Sequence, residues 1–142
     1  MEDIEEVINE DEIICQVMLD HPDLWNDLDY NEYTIKDKLE KNPYQYQQYR
    51  LLWLKEKHKL KRIEILKDEY IGKLYDNLRF HGDKKLGKQE VERYYIPKDE
   101  KAVKFMKLYM RQEIRTGVYE EISNAFKTQG FAMHTYIKNL EL

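Results

Sequence analysis

Between Tyr44 and Phe80 the chain has no proline and one glycine, Gly72. Leu, Lys, Glu, Arg and Gln dominate this stretch, and all are good helix formers. Tyr49, Leu52, Trp53, Leu60, Ile63, Leu66, Tyr70, Leu74 and Leu78 recur at steps of three and four. That spacing lines up side chains along one face of an α-helix. A helix of this length spans about 55 Å at 1.5 Å per residue. A chain of 142 residues buries such a face only against a partner helix or a second subunit. Gly72 marks a place for a local bend. With 5 Gly and 3 Pro in the whole chain, long helices are favoured over many short strands.

A second stripe follows. Over residues 98–128, Val103, Met106, Met110, Ile114, Val118, Ile122 and Phe126 are spaced for one helical face. Pro97 suits the first turn of this helix, and Asp99 and Glu100 complement its dipole. Gly130 is expected to end it, and Phe131 to Leu142 form a last short helix. Gly82 to Gly87 reads as a loop, and Val91 to Ile96 as briefly extended. At the other end, residues 1–19 read as a short acidic helix with Ile4, Val7, Ile8 and Ile14. Asp20 to Asp23 forms a turn, and residues 24–42 a second weak segment closed by Asn42-Pro43. The fold expected is all-α: long amphipathic helices in a helical hairpin with short flanking helices. The stripe from Val103 to Phe126 reads as oligomer surface, because apolar faces of this length meet across subunits. An intramolecular hairpin closed by residues 82–97 accounts for the stripes equally well. The expectation is a hairpin that then assembles.

The net charge of −4 hides two unlike parts. Residues 1–40 hold fourteen Asp/Glu against Lys36 and Lys38, and the remaining residues hold fourteen against twenty-two Lys/Arg. This divides the chain into an acidic N-terminal helical arm, 1–42, and a basic helical body, 43–142. The arm is either a solvated segment or a ligand for a basic partner, and charge alone does not choose. No apolar run approaches the roughly 20 residues of a spanning helix, so no membrane role is expected. The acidic opening is unlike a secretory leader. The single cysteine, Cys15, fits a reducing cytoplasm.

Motifs for catalysis are thin. Gly82-Asp-Lys-Lys-Leu-Gly87-Lys88-Gln89 approaches the phosphate-binding loop, but Gln89 stands where that loop needs a hydroxyl for magnesium. A helical pattern, not a strand, precedes it. His21-Pro22-Asp23 is the tripeptide of J-domain cochaperones, but an acidic segment precedes it where those have a basic helix, so it reads as a turn. Pro97 to Lys101 reads as a helix start, not as a nuclease site. Ser123 is the only serine, and His21, His58, His81 and His134 have no ligand spacing. No enzyme activity, metal or cofactor is expected.

The cations say more. Arg50, Lys55, Lys57, Lys59, Lys61, Arg62 and Lys67 face only Glu56 and Glu64 in that stretch. Lys73, Arg79, Lys84, Lys85 and Lys88 continue into the loop, interleaved with Tyr70, Tyr75 and Phe80. Positive charge follows a phosphate backbone, and aromatic faces stack unpaired bases. The candidate DNA-binding set is therefore Lys67, Lys73, Tyr75, Arg79, Phe80, Lys84, Lys85 and Lys88. The other reading is that the lysines solvate helices and the tyrosines pack in a core.

The order of these features resembles the phage recombination mediator family, the UvsY-type proteins. Met1 to Ile14 is similar to the family's acidic opening helix, and Leu28 to Tyr33 with Asn42 to Tyr49 to its next segment. Lys73-Leu-Tyr-Asp-Asn-Leu-Arg-Phe-His-Gly82 stands where the family has a basic, aromatic run closing on glycine. Pro97-Lys-Asp99 opens a long helix. Phe126-Lys-Thr-Gln-Gly-Phe-Ala-Met-His134, with Ile137-Lys138, resembles the family's C-terminal signature. The resemblance implies a helical protein that forms a ring-like homo-oligomer through its C-terminal helices. It implies binding to single-stranded DNA, a RecA-like recombinase and the single-stranded-DNA-binding protein, in DNA recombination, repair and replication. Its place would be the host cytoplasm if phage-encoded. One departure stands out. The family's paired Lys and Arg fall here at Leu74 to Asn77, with Lys73 and Arg79 on the flanks. The alternative is a helical adaptor that binds no nucleic acid.

Overall fold

Every regular element is helical among the residues described by the computed structural model, 9–82 and 85–141. Ile4, Val7, Ile8, Lys84 and Leu142 lie outside them. Helix α1, Glu10–Asp20, starts where Asn9 Oδ1 accepts the Glu12 N–H at 3.2 Å. Glu10, Asp11 and Glu12 in its first turn add charge of the sign the helix start favours. After the expected turn comes α2, Leu24–Leu28. Asn31 Oδ1 then accepts the N–H groups of Tyr33 and Thr34 and sets the chain up for α3, Ile35–Phe80. A single turn, α4 (Lys88–Glu90), leads through a π-helical turn, Val91–Tyr95, and a 3₁₀ turn, Ile96–Lys98. Helix α5, Glu100–Glu141, ends the described chain.

Three expectations are corrected. Asn42-Pro43 does not close a segment, because α3 runs through it for 46 residues. Proline removes one backbone hydrogen bond there, but buried contacts hold the helix on course. The Asn42 amide donates to Phe126 O at 2.8 Å and to Gln129 Oε1 at 2.9 Å. Second, Gly130 does not end a helix. α5 passes through it, and a β-carbon at 130 would stand 2.7 Å from Asn42 Oδ1. The glycine serves close approach, not termination. Third, Val91 to Ile96 is helical, not extended. Val91 and Ile96 are both buried yet five residues apart, which in an α-helix would set them about 140° apart. The wider π-turn, closed by Ile96 N–H to Val91 O, lets both face inward.

The described residues form two compact units whose boundaries fall inside α3 and α5. One is His58–Glu113. Its core is Val91, Ile96 and Ala102, packed on Tyr70, Ile71, Leu74, Tyr75 and Leu78 of α3. The other is Asn9–Lys57 with the residues from Ile114 on. Its core is Val17, Leu24, Tyr49, Tyr119, Ile122 and Phe126, with the Tyr49 and Phe126 rings stacked at 4.9 Å. Val17 and Leu24, from the segment read as an acidic arm, are buried in this core.

Gln129 extends the Asn42 clasp. Its Nε2 donates to the carbonyls of Asp27 and Leu28 at 2.8 and 2.9 Å, fixing the end of α2. Replacing Gly130 by Ala should therefore destabilise the protein by about 1–2 kcal/mol, through loss of the Asn42 hydrogen bonds. Nothing lies within 4 Å of a β-carbon at Gly72, so Gly72→Ala should stabilise by about 0.5–1 kcal/mol from helix propensity alone. Denaturant unfolding measures both. Equal stabilisation by the two changes would show that the close approach at 130 carries no weight.

Candidate nucleic-acid interface

The candidate site lies in the His58–Glu113 unit, on the last turns of α3 and the connection after it. Tyr75 is held by its ring, which packs on the Val91–Ile96–Ala102 cluster. Arg79 is one helical turn on, and its Nη1 donates to the Tyr75 hydroxyl at 2.7 Å. The guanidinium lies 5.8 Å from the Tyr75 ring centre and 5.0 Å from that of Phe80. It thus ties a half-buried ring to an exposed one, since Phe80 is 63% exposed. The outcome is an exposed apolar ring with a delocalised cation over one face, a surface suited to a base with a phosphate beside it.

Lys73, Lys85 and Lys88 are exposed in the same unit. Lys88 lines a groove of about 540 Å³ with Tyr75, Gly72, Ile71 and Ile96. Asp68, Asp76 and Glu92 line it too, so this groove is not uniformly positive. The phosphate-binding pattern at Gly82 to Gln89 has α3 before it, not the strand that such a loop requires.

Lys67 is placed elsewhere. Its ammonium sits 4.1 Å from the centre of the Tyr109 ring and 3.7 Å from Asp68 Oδ1, with a side chain only 20% exposed. Burial, with Glu113, Glu64 and Asp68 nearby, raises the Tyr109 hydroxyl pKa. Lys67 is thus part-buried, with its ammonium over a ring and beside a carboxylate. Of the expected oligomer stripe, Ile122 and Phe126 are spent inside the chain. Ile114 and Val118 line an open groove, Val103 is half-buried, and Met106 and Met110 are exposed.

A second polar constellation, in the other unit, had no sequence signal beyond a glutamate on an apolar face. Glu56 is 5% exposed. Its Oε2 is 3.3 Å from Arg115 Nε, and Arg115 Nη2 is 3.7 Å from Asp20 Oδ2. The Tyr119 hydroxyl bonds His21 Nε2 at 2.9 Å, and Arg115 Nη2 reaches the same hydroxyl at 3.5 Å. Burial raises the Tyr119 pKa; Arg115 opposes this, and Glu56 and Asp20 add to it. Burial is also the main cause of the raised Tyr49 pKa. Arg115 is thus held by intramolecular contacts.

No family model, curated protein or solved structure matches this chain.

The scaffold of the candidate site rests on Asp99. Its Oδ2 accepts the Tyr70 hydroxyl at 2.7 Å and the Ala102 N–H at 2.9 Å, capping α5. The Tyr70 bond first, and the Ala102 N–H second, hold the Asp99 pKa below the usual carboxylate range. The bond to Asp99 is likewise the first cause of the raised Tyr70 pKa. A depressed carboxylate stabilises the fold above its unfolded pKa, and that share is lost as pH falls through the folded value. A raised tyrosine acts in the opposite sense: its share is lost as pH rises through the folded value. Asp99→Asn should keep a capping oxygen but show a shallower acid limb in stability against pH. An acid limb unchanged from the wild type would remove Asp99 as its source.

Proposed function

We propose that this chain is a recombination mediator. It binds single-stranded DNA and helps load a RecA-like recombinase in place of the single-stranded-DNA-binding protein. The observation that supports it best is the Tyr75–Arg79–Phe80 group, which offers an exposed ring backed by a guanidinium. Lys73, Lys85 and Lys88 are exposed in the same unit and offer phosphate-neutralising charge. Rings stack any base, so the binding is sequence-tolerant, as a mediator on arbitrary unpaired DNA requires. The collinear resemblance to UvsY-type proteins gives the role, the recombinase partner and the ring-like homo-oligomer. The protein acts by binding and is not an enzyme. Among the described residues no helix is long and apolar enough to cross a membrane.

A helical adaptor without DNA binding is the second reading. The acids Asp68, Asp76 and Glu92 beside Lys88 favour it, because they oppose a phosphate there.

Two kinds of variant separate stacking from charge in a single-strand filter-binding assay. Replacing Lys73, Lys85 and Lys88 by Ala should weaken binding and flatten its salt dependence, by about 0.7 in log–log slope for each phosphate no longer neutralised. Phe80→Ala should lose about 1–3 kcal/mol of affinity and leave the slope unchanged. Unaltered affinity in both would leave the adaptor reading standing.

A further inference from the structure

In the unit formed by Asn9–Lys57 and the residues from Ile114 on, α1, α2 and α5 leave an open groove of about 360 Å³. Ile14, Met18, Leu28 and Val118 line it, and Trp25 stands on its wall 71% exposed. The ionised side chains that line it are Glu10 and Glu121, both negative. Its chemistry is an apolar floor with an acidic rim.

The same unit carries the complement. At about 100° per residue, Leu51 and Leu54 lie on the side of α3 opposite Tyr49 and Glu56. Tyr49 and Glu56 are buried, whereas Leu51 is 64% and Leu54 42% exposed. From Tyr44 to Lys57 the only acid is Glu56, which is buried with Arg115. The ionised groups this stretch presents to solvent are therefore Arg50, Lys55 and Lys57, all positive. The outward face of α3 is an apolar ridge with a basic border.

We infer that the groove of one copy receives the Leu51–Leu54 ridge of a second copy. Apolar faces meet, as when an amphipathic helix enters a groove, and Glu10 and Glu121 face Arg50 and Lys55 across the join. Groove and ridge are different surfaces, so the contact is head-to-tail. Such a contact propagates from copy to copy and closes as a ring when its rotation allows. Ile114 and Val118, two members of the stripe expected at an interface, then meet the second copy as groove lining. The inference rests on the assembly part of the reading above and is independent of DNA binding.

The experiment uses the full chain carrying Trp53→Phe, which leaves Trp25 as the sole tryptophan. Sedimentation equilibrium gives the association, and Trp25 emission reports the groove. As concentration rises, copies should associate and the emission should shift to the blue, with both effects weakened by salt. Glu121→Lys alone and Lys55→Glu alone should each raise the dissociation constant about tenfold. Both changes in one chain should return it to within about threefold of the parent, since every join then pairs opposite charges again. That rescue also answers any concern that a single variant misfolds.

Assembly that ignores all three variants, or leaves Trp25 in water, overturns this contact while the assembly reading stands on another surface. A chain that stays monomeric overturns both, and a filter-binding assay then shows whether the DNA reading survives. A monomer whose Trp25 moves to the blue only with an added lysine-rich amphipathic peptide assigns the groove to a different protein and overturns the inference.

Discussion

The tightest constraint in the Asn9–Lys57 unit and its α5 partner is the approach of Asn42 to Gly130. The Asn42 side chain lies directly against α5 there, and a β-carbon at position 130 would stand 2.7 Å from its amide oxygen and displace it. The closeness is useful because it delivers the Asn42 amide to Phe126 O and to Gln129. Gln129 then uses its own amide hydrogens on the last carbonyls of α2. Buried amides left unpaired would each carry a desolvation penalty of about 1–3 kcal/mol. Paired in series, they fix one register between α3 and α5 and one position for α2. The groove wall formed by Leu24, Trp25 and Leu28 follows from that position.

Glu56 and Arg115 set a second register mark in the same unit. A partly buried ion pair adds little net stability, because desolvation offsets most of the attraction. Its effect is on alternatives. A slip of α5 along α3 would leave the Glu56 carboxylate buried without Arg115, and would part the Tyr119 hydroxyl from His21. Thr116 Oγ1, donating to Glu56 O at 3.3 Å, marks the same level. An apolar seam alone tolerates slippage by a turn, whereas a seam with two polar levels does not.

The helical class and the two long stripes are legible in the sequence because period and propensity agree over tens of residues. Tyr49, Leu52 and Trp53 face the core as their spacing requires. What is not legible is tertiary override of local signals. Pro43 reads as a stop, and only the distant Phe126 carbonyl and Gln129 explain why the helix continues. Gly130 reads as a helix end, and only Asn42 explains why it is a spacer. Leu66 fits the stripe by spacing yet is 54% exposed, while Glu56, which no apolar pattern selects, is buried. The aromatic and basic residues of the candidate site stand out in the sequence. Their roles do not: a cation that packs on a ring, as Lys67 does, has the same sequence signature as one that meets a phosphate.

The same ambiguity governs how the proposed surface would hold unpaired DNA. Charge is the weaker guide, since acidic and basic side chains meet in the fold. Asp20 sits by Arg115, and Asp68, Asp76 and Glu92 share a groove with Lys88. A face with mixed charge gains little from counterion release alone, because a strand is drawn to some positions and repelled at others. Phe80 is different. Its ring is 63% exposed at the end of a 46-residue helix, and the neighbouring guanidinium lies over it, 5.0 Å from its centre. Exposing an aromatic ring to water is unfavourable, and stacking a base on it recovers that loss whatever the surrounding charge. If this surface binds unpaired DNA as proposed, the ring would be the anchor, and the lysines would set how steeply binding responds to salt.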